Sequence, residues 1–193
     1  MNRCSEPPLT PAQGAALVKL ARHTLETALM QPETGGAPDL SDAAFDRCQG
    51  VFVTLHKTGV LRGCIGSLEG RRQLRTEVAE NARSAAFEDP RFPPLSAAEL
   101  ALVDLEVSVL SEPQPLDYAS ADDLLGKLRP GIDGVILAQG RARATFLPQV
   151  WDQLPDATSF LGHLCMKAGL PENAWRQGRA EIWTYQVQYF TEA

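Results

Sequence analysis

The sequence of 193 residues has little of what marks several large classes of protein. Its four cysteines form no C-x-x-C pair and its three histidines complete no spaced ligand set, which argues against a structural zinc site. No apolar run approaches the ~20 residues that span a bilayer, and the N-terminus has neither a basic start nor a hydrophobic signal segment. We therefore expect a cytoplasmic protein without a membrane anchor, and we predict no metal and no cofactor.

A basic excess is also missing. Lys and Arg number 18 against 24 Asp and Glu, and the formal net charge is -6. A protein that neutralises many phosphates needs the opposite balance, so nucleic acid is not the expected partner. Arg71, Arg72 and Arg75 form a local basic cluster at the predicted start of a helix. The cluster is either a solvated face or a docking point for an anion or a phosphorylated partner.

The apolar periodicity predicts helices and antiparallel strands in one chain. Thr10-Pro11-Ala12-Gln13 is a capping box that opens an amphipathic helix, and the breaker composition of 31–41 predicts a loop. Because the strands follow one another in hairpins with helices inserted between them, the fold class is α+β. Further helices are predicted from Leu74 to near Asp89, after Ser96, after Ser120 and over 160–168; strands are predicted over 51–66, 103–109, 133–146 and 182–190.

The strands within 51–66 allow a prediction of register. Their apolar residues all have odd numbers, so one face of the hairpin is apolar only if odd positions pair with odd positions. A three-residue loop over 57–59 satisfies this and pairs Thr54 with Arg62 and Phe52 with Cys64. We then expect one set of side chains to be buried on the face opposite Arg62 and Cys64: Val51, Val53, Leu55, Leu61 and Ile65.

The other face of this hairpin carries the densest chemistry in the sequence. Thr54, Arg62 and Cys64 project from it, and Gly63 and Gly66 leave space beside them. One interpretation is a shallow pocket in which Arg62 holds an anion and lowers the pKa of Cys64, giving a thiolate nucleophile or ligand. The alternative is a second buried face with Cys64 as a small packing residue.

Other side chains are candidates for this face. Asn81, at the edge of the second helix, and Glu106, on the strand 103–109, could reach it. His56 lies on the same face about four strand positions from Cys64, roughly 13 Å, which argues against a Cys-His dyad. His163 is the remaining candidate base, on a predicted helix.

Several segments of the chain match the sequence of one known family in order: Val51–Lys57, Leu61–Gly66, Ala79–Ala82, Ala85–Phe92, Leu105–Leu110, Phe146–Val150, Phe160-Leu161 and Lys167–Leu170. On these segments the chain resembles the AMME chromosomal region domain family, and the hexapeptide Leu-Arg-Gly-Cys-Ile-Gly is quite specific. The resemblance implies one antiparallel sheet flanked by helices with a lesser α/β subdomain, in a single domain over 10–190. It also implies a site at the matched positions Arg62, Gly63, Cys64 and Gly66.

The resemblance also implies partners, because bacterial relatives accompany a Memo-like protein and a radical S-adenosylmethionine enzyme in the AmmeMemoRadiSam system. The first hypothesis is therefore an accessory or substrate-handling component that presents Arg62 and Cys64 to a partner or a small anionic group. The second is an enzyme that uses Cys64 as a nucleophile. The third is a nucleic-acid-binding module, which the acidic balance disfavours.

Overall fold

The computed structural model describes residues 7–31 and 36–192, which belong to two compact units. The first unit runs to Ser111 and resumes at Gln188, and the second spans Glu112–Val187. Each unit has its own antiparallel sheet with helices, so the α+β class is confirmed. The expectation of one domain over 10–190 stays a prediction.

The helices are α1 (Pro11–Ala28), α2 (Leu74–Phe87), α3 (Ala97–Leu100), α4 (Ala121–Lys127) and α5 (Ala157–Lys167), with short 3-10 helices at Ala43–Asp46, Pro148–Asp152 and Ala174–Gln177. The strands are β1 (Val51–Lys57), β2 (Val60–Ser67), β3 (Val103–Leu110), β4 (Gln114–Pro115), β5 (Gly134–Gln139), β6 (Ala142–Phe146), β7 (Glu181–Tyr185) and β8 (Val187–Thr191). None of the helices in this described part of the chain has the length and apolar character needed to cross a bilayer.

Helix α1 begins as its sequence predicts. The hydroxyl of Thr10 accepts the N–H of Gln13 at 3.3 Å, and the Gln13 side chain accepts the N–H of Thr10 at 2.8 Å. This reciprocal capping box satisfies two N–H groups that the helix itself cannot pair. Of the predicted loop 31–41, residues 32–35 lie outside the described residues, and the others are in neither helix nor strand.

The first unit is built on a sheet of order β2-β1-β3-β8. Helices α1 and α2 pack against one face of it, where Val51, Val53 and Leu55 have no exposed surface. This face meets the apolar stripes of both helices, as the odd-position pattern of β1 predicts. The residues of this core include Leu17, Val18, Ala21, Leu25, Leu74, Val78, Ala82, Ala85, Leu105, Val107 and Val109.

The predicted register of the first hairpin is wrong. Strands β1 and β2 are joined by a two-residue turn, Thr58-Gly59, in which both residues have positive φ (50° and 79°), and a bulge follows opposite the step from Leu55 to His56. Beyond the bulge, odd positions pair with odd positions, but Thr54 is opposite Cys64 instead of Arg62. The bulge thus restores the parity that a two-residue turn breaks.

Leu61 shows the consequence of this register. It lies opposite His56, and His56 shares a face with Thr54, whose partner is Cys64. Leu61 and Cys64 are therefore on the same face, and Leu61 is 38% exposed instead of buried in the core. Ile65 packs partly buried against the core, as predicted.

The second unit has a sheet of order β4-β7-β5-β6 and a separate core. Trp151 stacks on Phe160 with ring centroids 3.7 Å apart, and its indole N–H donates to the Asp133 carbonyl at 2.7 Å. The strand predicted over 182–190 is interrupted at Gln186, and its two halves belong to different sheets. The alternation of apolar and polar residues continues through Gln186, so the sequence predicts a single strand although the chain passes from one sheet to the other there.

Candidate functional site

Three side chains lie in a row across the first sheet. Thr54, on the central strand β1, is opposite Cys64 on β2 and opposite Glu106 on β3. Residues directly opposite one another point to the same face, so Cys64, Thr54 and Glu106 form a polar row on the face that does not carry the helices. The Thr54 hydroxyl donates to the Cys64 sulfur at 3.3 Å. Cys64 and Glu106 are half-buried.

The backbone of Cys64 is held from outside the sheet. Because β2 is an edge strand, one side of its backbone lacks a neighbouring strand. The Cys64 N–H donates to the Asp89 carboxylate at 2.9 Å, and Arg91 Nη2 donates to the Cys64 carbonyl at 3.3 Å. Asp89 and Arg91 therefore act as an edge clamp that satisfies both backbone groups of Cys64.

The edge clamp is itself a tight ion pair. Arg91 contacts Asp89 through two nitrogens, with Nε–Oδ1 at 2.9 Å and Nη2–Oδ2 at 2.6 Å. The hydrogen bonds from the Arg91 guanidinium lower the pKa of Asp89 far below its ordinary range, against the effect of burial. The Asp89 side chain is 2% exposed and the Arg91 side chain 53%, so Arg91 carries the accessible charge.

A short turn after α2 produces this geometry. Helix α2 ends at Phe87, and Pro90 cannot continue a helix. The Asp89 carboxylate accepts the N–H of Arg91 at 3.1 Å, a local turn that brings both charged groups to the edge of β2. Sequence reasoning missed both residues, because it treated Asp89-Pro90 only as the end of a helix. The signal was present in Asp-Pro-Arg-Phe, which belongs to a segment matched by the family resemblance.

The predicted partnership of Arg62 with Cys64 is not seen. Arg62 is the extra residue of the bulge and is buried, with 7% of its surface exposed. Its guanidinium contacts the Glu99 carboxylate at 3.3 and 3.2 Å and the Pro93 carbonyl at 2.8 Å. Glu99 also binds Lys57 at 2.9 Å. The arginine beside Cys64 is Arg91, and Arg62 belongs to a separate buried network.

Gly63 and Gly66 were predicted to leave open space beside the site, and this prediction is wrong. A side chain at Gly63 would come within 2.2 Å of the Ala85 carbonyl on α2. One at Gly66 would come within 2.2 Å of the Val51 carbonyl and 2.5 Å of Phe52. Both positions are close approaches of other parts of the chain, so glycine there permits packing.

The remaining candidates divide between the two faces of the sheet. Asn81 is on α2, on the helix-covered side, and donates to the Val51 carbonyl at 3.1 Å. His56 shares the face of Cys64. Because Cys64 lies opposite Thr54, His56 is two strand positions, about 7 Å along the strand, from the level of Cys64, whereas four positions were predicted. His163 is exposed, and its Nδ1 contacts the Ser159 carbonyl of its own helix at 2.9 Å. That the predicted residues belong to a functional site remains a prediction.

Each arginine of the predicted basic cluster has an acidic neighbour. Arg71 lies 3.8 Å from Glu69, Arg72 contacts Glu77 at 3.4 Å and also pairs with Glu80, and Arg75 pairs with Asp46. The paired carboxylates of Glu69, Glu80 and Asp46 are themselves 46–58% exposed, so an approaching anion meets their negative charge together with the arginines. The solvated-face interpretation of this cluster is favoured.

The described thiols differ in their surroundings. Cys48 is exposed, Cys64 is half-buried and Cys165 is buried, while Cys4 lies outside the described residues. Burial raises the pKa of the Cys165 thiol. In residues 7–31 and 36–192, no three His, Cys, Asp or Glu side chains come together as a metal site.

A surface cleft of about 340 Å³ lies in the second unit, lined by residues 115–118, Gly178 and residues 180–183. It contains none of the predicted site residues. Volume alone does not indicate a ligand, whereas the polar row combines a thiol, a hydroxyl and a carboxylate with an adjacent guanidinium.

Comparisons with known proteins agree on one family. The model of the AMMECR1 family matches residues 18–190. A protein of Methanothermobacter thermautotrophicus is 43% identical over 186 residues, which cover 96% of this chain and 97% of that protein. A protein of Methanosarcina acetivorans is 40% identical, covering 95% and 94%. The crystal structure of the uncharacterized protein PH0010 of Pyrococcus horikoshii is similar with a TM-score of 0.78 and 32% identity, over 93% of this chain and 91% of that one.

Proposed function

The chain belongs to the AMMECR1 family, and from that premise we propose that it is an accessory or substrate-handling component of a system containing a radical S-adenosylmethionine enzyme and a Memo-like protein. Its binding site is the polar row with the edge clamp. The bound group is either a partner surface or a small anionic molecule, and Arg91 takes the role that the sequence suggested for Arg62.

The observation that carries this proposal is the chemistry on the face of the sheet opposite the core. The packing of α1 and α2 needs only the apolar face, yet the other face aligns Cys64, Thr54 and Glu106. Thr54 donates to Cys64, and the Glu106 carboxylate accepts from Ser108 at 3.1 Å, so the row is held in place by its own hydrogen bonds. A carboxylate can accept several hydrogen bonds, which leaves acceptor capacity for a polar ligand. A row of this kind beside a half-exposed guanidinium suits binding better than packing.

Binding between purified proteins tests the proposal. The protein, immobilised, is offered the Memo-like protein and the radical enzyme encoded in the same genome, separately and together. We expect the wild type to retain at least one of them, and Cys64→Ala and Arg91→Gln to weaken that binding. Arg129→Gln is the matched control, because Arg129 is 54% exposed and pairs with the buried Asp133 in the second unit. Absence of binding by the wild-type protein would contradict the proposed partners.

A second candidate function is catalysis by Cys64 as a nucleophile. It is favoured by the hydrogen bond from the Thr54 hydroxyl to the Cys64 sulfur, because a donated hydrogen bond stabilises a thiolate. In an acyl transfer the sulfur would bond to the acyl carbon and the leaving group would depart with the proton of the thiol. Incubation of the native protein with a panel of acyl thioesters, followed by intact-mass spectrometry, would show an acyl adduct that Cys64→Ser abolishes. A protein that stays unmodified by the whole panel would rule against this candidate.

A further inference from the structure

The edge clamp gives the site a charge preference. We propose that Arg91 selects ligands that place an anionic group, such as a carboxylate or a phosphate, next to the Cys64 thiol, and that Asp89 positions Arg91 for this task. The inference deepens the proposed function and rests on it, because it concerns the same site. It names the class of group that the site accepts.

The position of Arg91 is fixed on three sides. Two of its nitrogens bind the Asp89 carboxylate, Nη2 also contacts the Cys64 carbonyl at 3.3 Å, and the guanidinium carbon lies 5.4 Å from the centre of the Phe92 ring. Among the described residues, none accepts a hydrogen bond from Nη1 of Arg91. A guanidinium held in this way keeps donors for an incoming anion and loses little conformational freedom on binding.

Arg91 carries the exposed charge at the strand edge beside the thiol. Asp89 is negative, but its carboxylate is buried and accepts hydrogen bonds from Arg91 and from the Cys64 N–H. Glu106 lies two strands from Cys64 on the far side of Thr54, about 10 Å away at the usual strand spacing. A molecule that approaches Cys64 from the strand edge therefore meets the exposed face of Arg91 first.

Two alkylating reagents of similar size measure this preference. Iodoacetate is an anion and iodoacetamide is neutral, and with either one the thiolate sulfur bonds to the methylene carbon while iodide leaves. The ratio of their rate constants at Cys64, divided by the ratio for N-acetylcysteine amide, reports the local charge that the reagent meets. Peptide mapping by mass spectrometry after short exposures at low salt gives the rate constants for Cys64 alone.

We expect the normalised ratio at Cys64 to be about three to ten, because the anionic reagent can come closer to the exposed Arg91 guanidinium than to the buried carboxylate that pairs with it. Arg91→Gln should bring the ratio close to one and Arg91→Lys should keep most of it. Arg129→Gln, the matched exposed arginine of the second unit, should leave it unchanged. In the wild-type protein, added salt should slow iodoacetate more than iodoacetamide.

A normalised ratio of one or less in the wild-type protein, or a high ratio that Arg91→Gln leaves intact, would overturn the inference. If Arg91→Gln does not fold, the salt dependence of the wild type and the Arg91→Lys ratio decide. The outcome is separate from that of the binding experiment with the partner proteins. If the Cys64 thiol shows the charge preference but neither partner protein binds, only the proposed system is rejected. If a partner binds but the thiol shows no charge preference, only this inference is rejected.

Discussion

Asp89 does more than form a turn, because its side chain connects β2 with Arg91. Its carboxylate is nearly inaccessible, accepts the Cys64 N–H, and receives two hydrogen bonds from the Arg91 side chain. A buried carboxylate remains ionised only when donors of this kind surround it. The conformation of β2 at Cys64 therefore depends on one side chain that lies 25 residues further along the chain.

Replacement of Asp89 tests this dependence. Asp89→Ala leaves the Cys64 N–H at the sheet edge without its acceptor, and we expect the free energy of unfolding to fall by about 1–3 kcal/mol. Asp89→Asn should lose less, because the amide oxygen can still accept that N–H. Asp46→Ala is the control: its carboxylate also pairs with an arginine, Arg75, but is 48% exposed, so the loss should stay below about 1 kcal/mol. Urea denaturation that gives equal losses for Asp89→Ala and Asp46→Ala would contradict this role.

The pH dependence of stability follows from the same carboxylate. The pKa of Asp89 is lower in the folded protein than the ordinary value of about 4 in an unfolded chain. The folded state therefore holds this group ionised more strongly, and its stabilising effect is complete above pH ~4 and declines as the pH falls below that value. Denaturation of the wild type and Asp89→Asn at a series of pH values should show a stability difference that narrows from pH 6 to pH 3. A difference that stays constant over this range would show that Asp89 does not titrate as proposed.

Among the elements, the first hairpin shows where sequence reasoning succeeded and where it failed. The apolar face of β1 and the face shared by Thr54 and Cys64 were predictable from alternation alone. The bulge was not, because a three-residue loop and a two-residue turn with a bulge give the same parity beyond the irregularity. The sequence Thr58-Gly59 is also an unusual two-residue turn, since it holds a β-branched residue at φ 50°.

The contact of the edge clamp with β2 did not follow from the pattern of residues, for a related reason. A sequence shows that α2 ends before Asp89-Pro90, but it does not show which strand edge the following turn reaches. Arg62 was predicted as the partner of Cys64 because the expected register placed both side chains on the polar face of the hairpin. In the structure Arg62 is the extra residue of the bulge and contacts Glu99, and the arginine that contacts the backbone of Cys64 is Arg91.

The contact between β2 and α2 gives a prediction at the scale of elements. Gly63→Ala places a methyl group within 2.2 Å of the Ala85 carbonyl, which is backbone and can yield only by moving the helix. We expect it to lower the free energy of unfolding by about 1–3 kcal/mol. Gly126→Ala is the control: Gly126 lies in α4, and a methyl group there would meet no other part of the described chain within 4 Å beyond its own helix, so the free energy of unfolding should rise by about 0.5–1 kcal/mol. Thermal melts in which Gly63→Ala behaves like Gly126→Ala would show that the close approach is not a constraint.

At the scale of the whole molecule, the family resemblance predicted the α+β fold correctly, and the comparisons confirm the family over residues 18–190. Order and type of the elements follow from periodicity and caps, which are local properties of a sequence. The change of sheet at Gln186 and the partners of buried charges are not local. They depend on which segments meet in space, so the pattern of residues left them open.

The charge of the molecule predicts weak binding to nucleic acid. The net charge is -6, and the arginines near the start of α2 are paired with carboxylates. Binding to duplex DNA should therefore be detectable only at low salt and should show no sequence preference. Fluorescence anisotropy with labelled duplexes of different sequence measures this. Tight binding that survives physiological salt would revive the nucleic-acid hypothesis.

We infer that Cys64 faces a site that a ligand can reach, in contrast to Cys165 in the core of the second unit. The decisive measurement combines alkylation of the native protein by iodoacetamide, followed by peptide mapping, with melting curves of Cys64→Ser and Cys165→Ser. We predict that Cys64 reacts much faster than Cys165, whose thiol is fully buried and has a raised pKa.

In the melting curves, Cys64→Ser should change stability little, because a serine hydroxyl there can bond with Thr54. Cys165→Ser should cost about 1–3 kcal/mol through burial of a hydroxyl in an apolar core. An inert Cys64 together with a Cys64→Ser variant as destabilised as Cys165→Ser would show that Cys64 is a packing residue and would contradict a ligand site at this position.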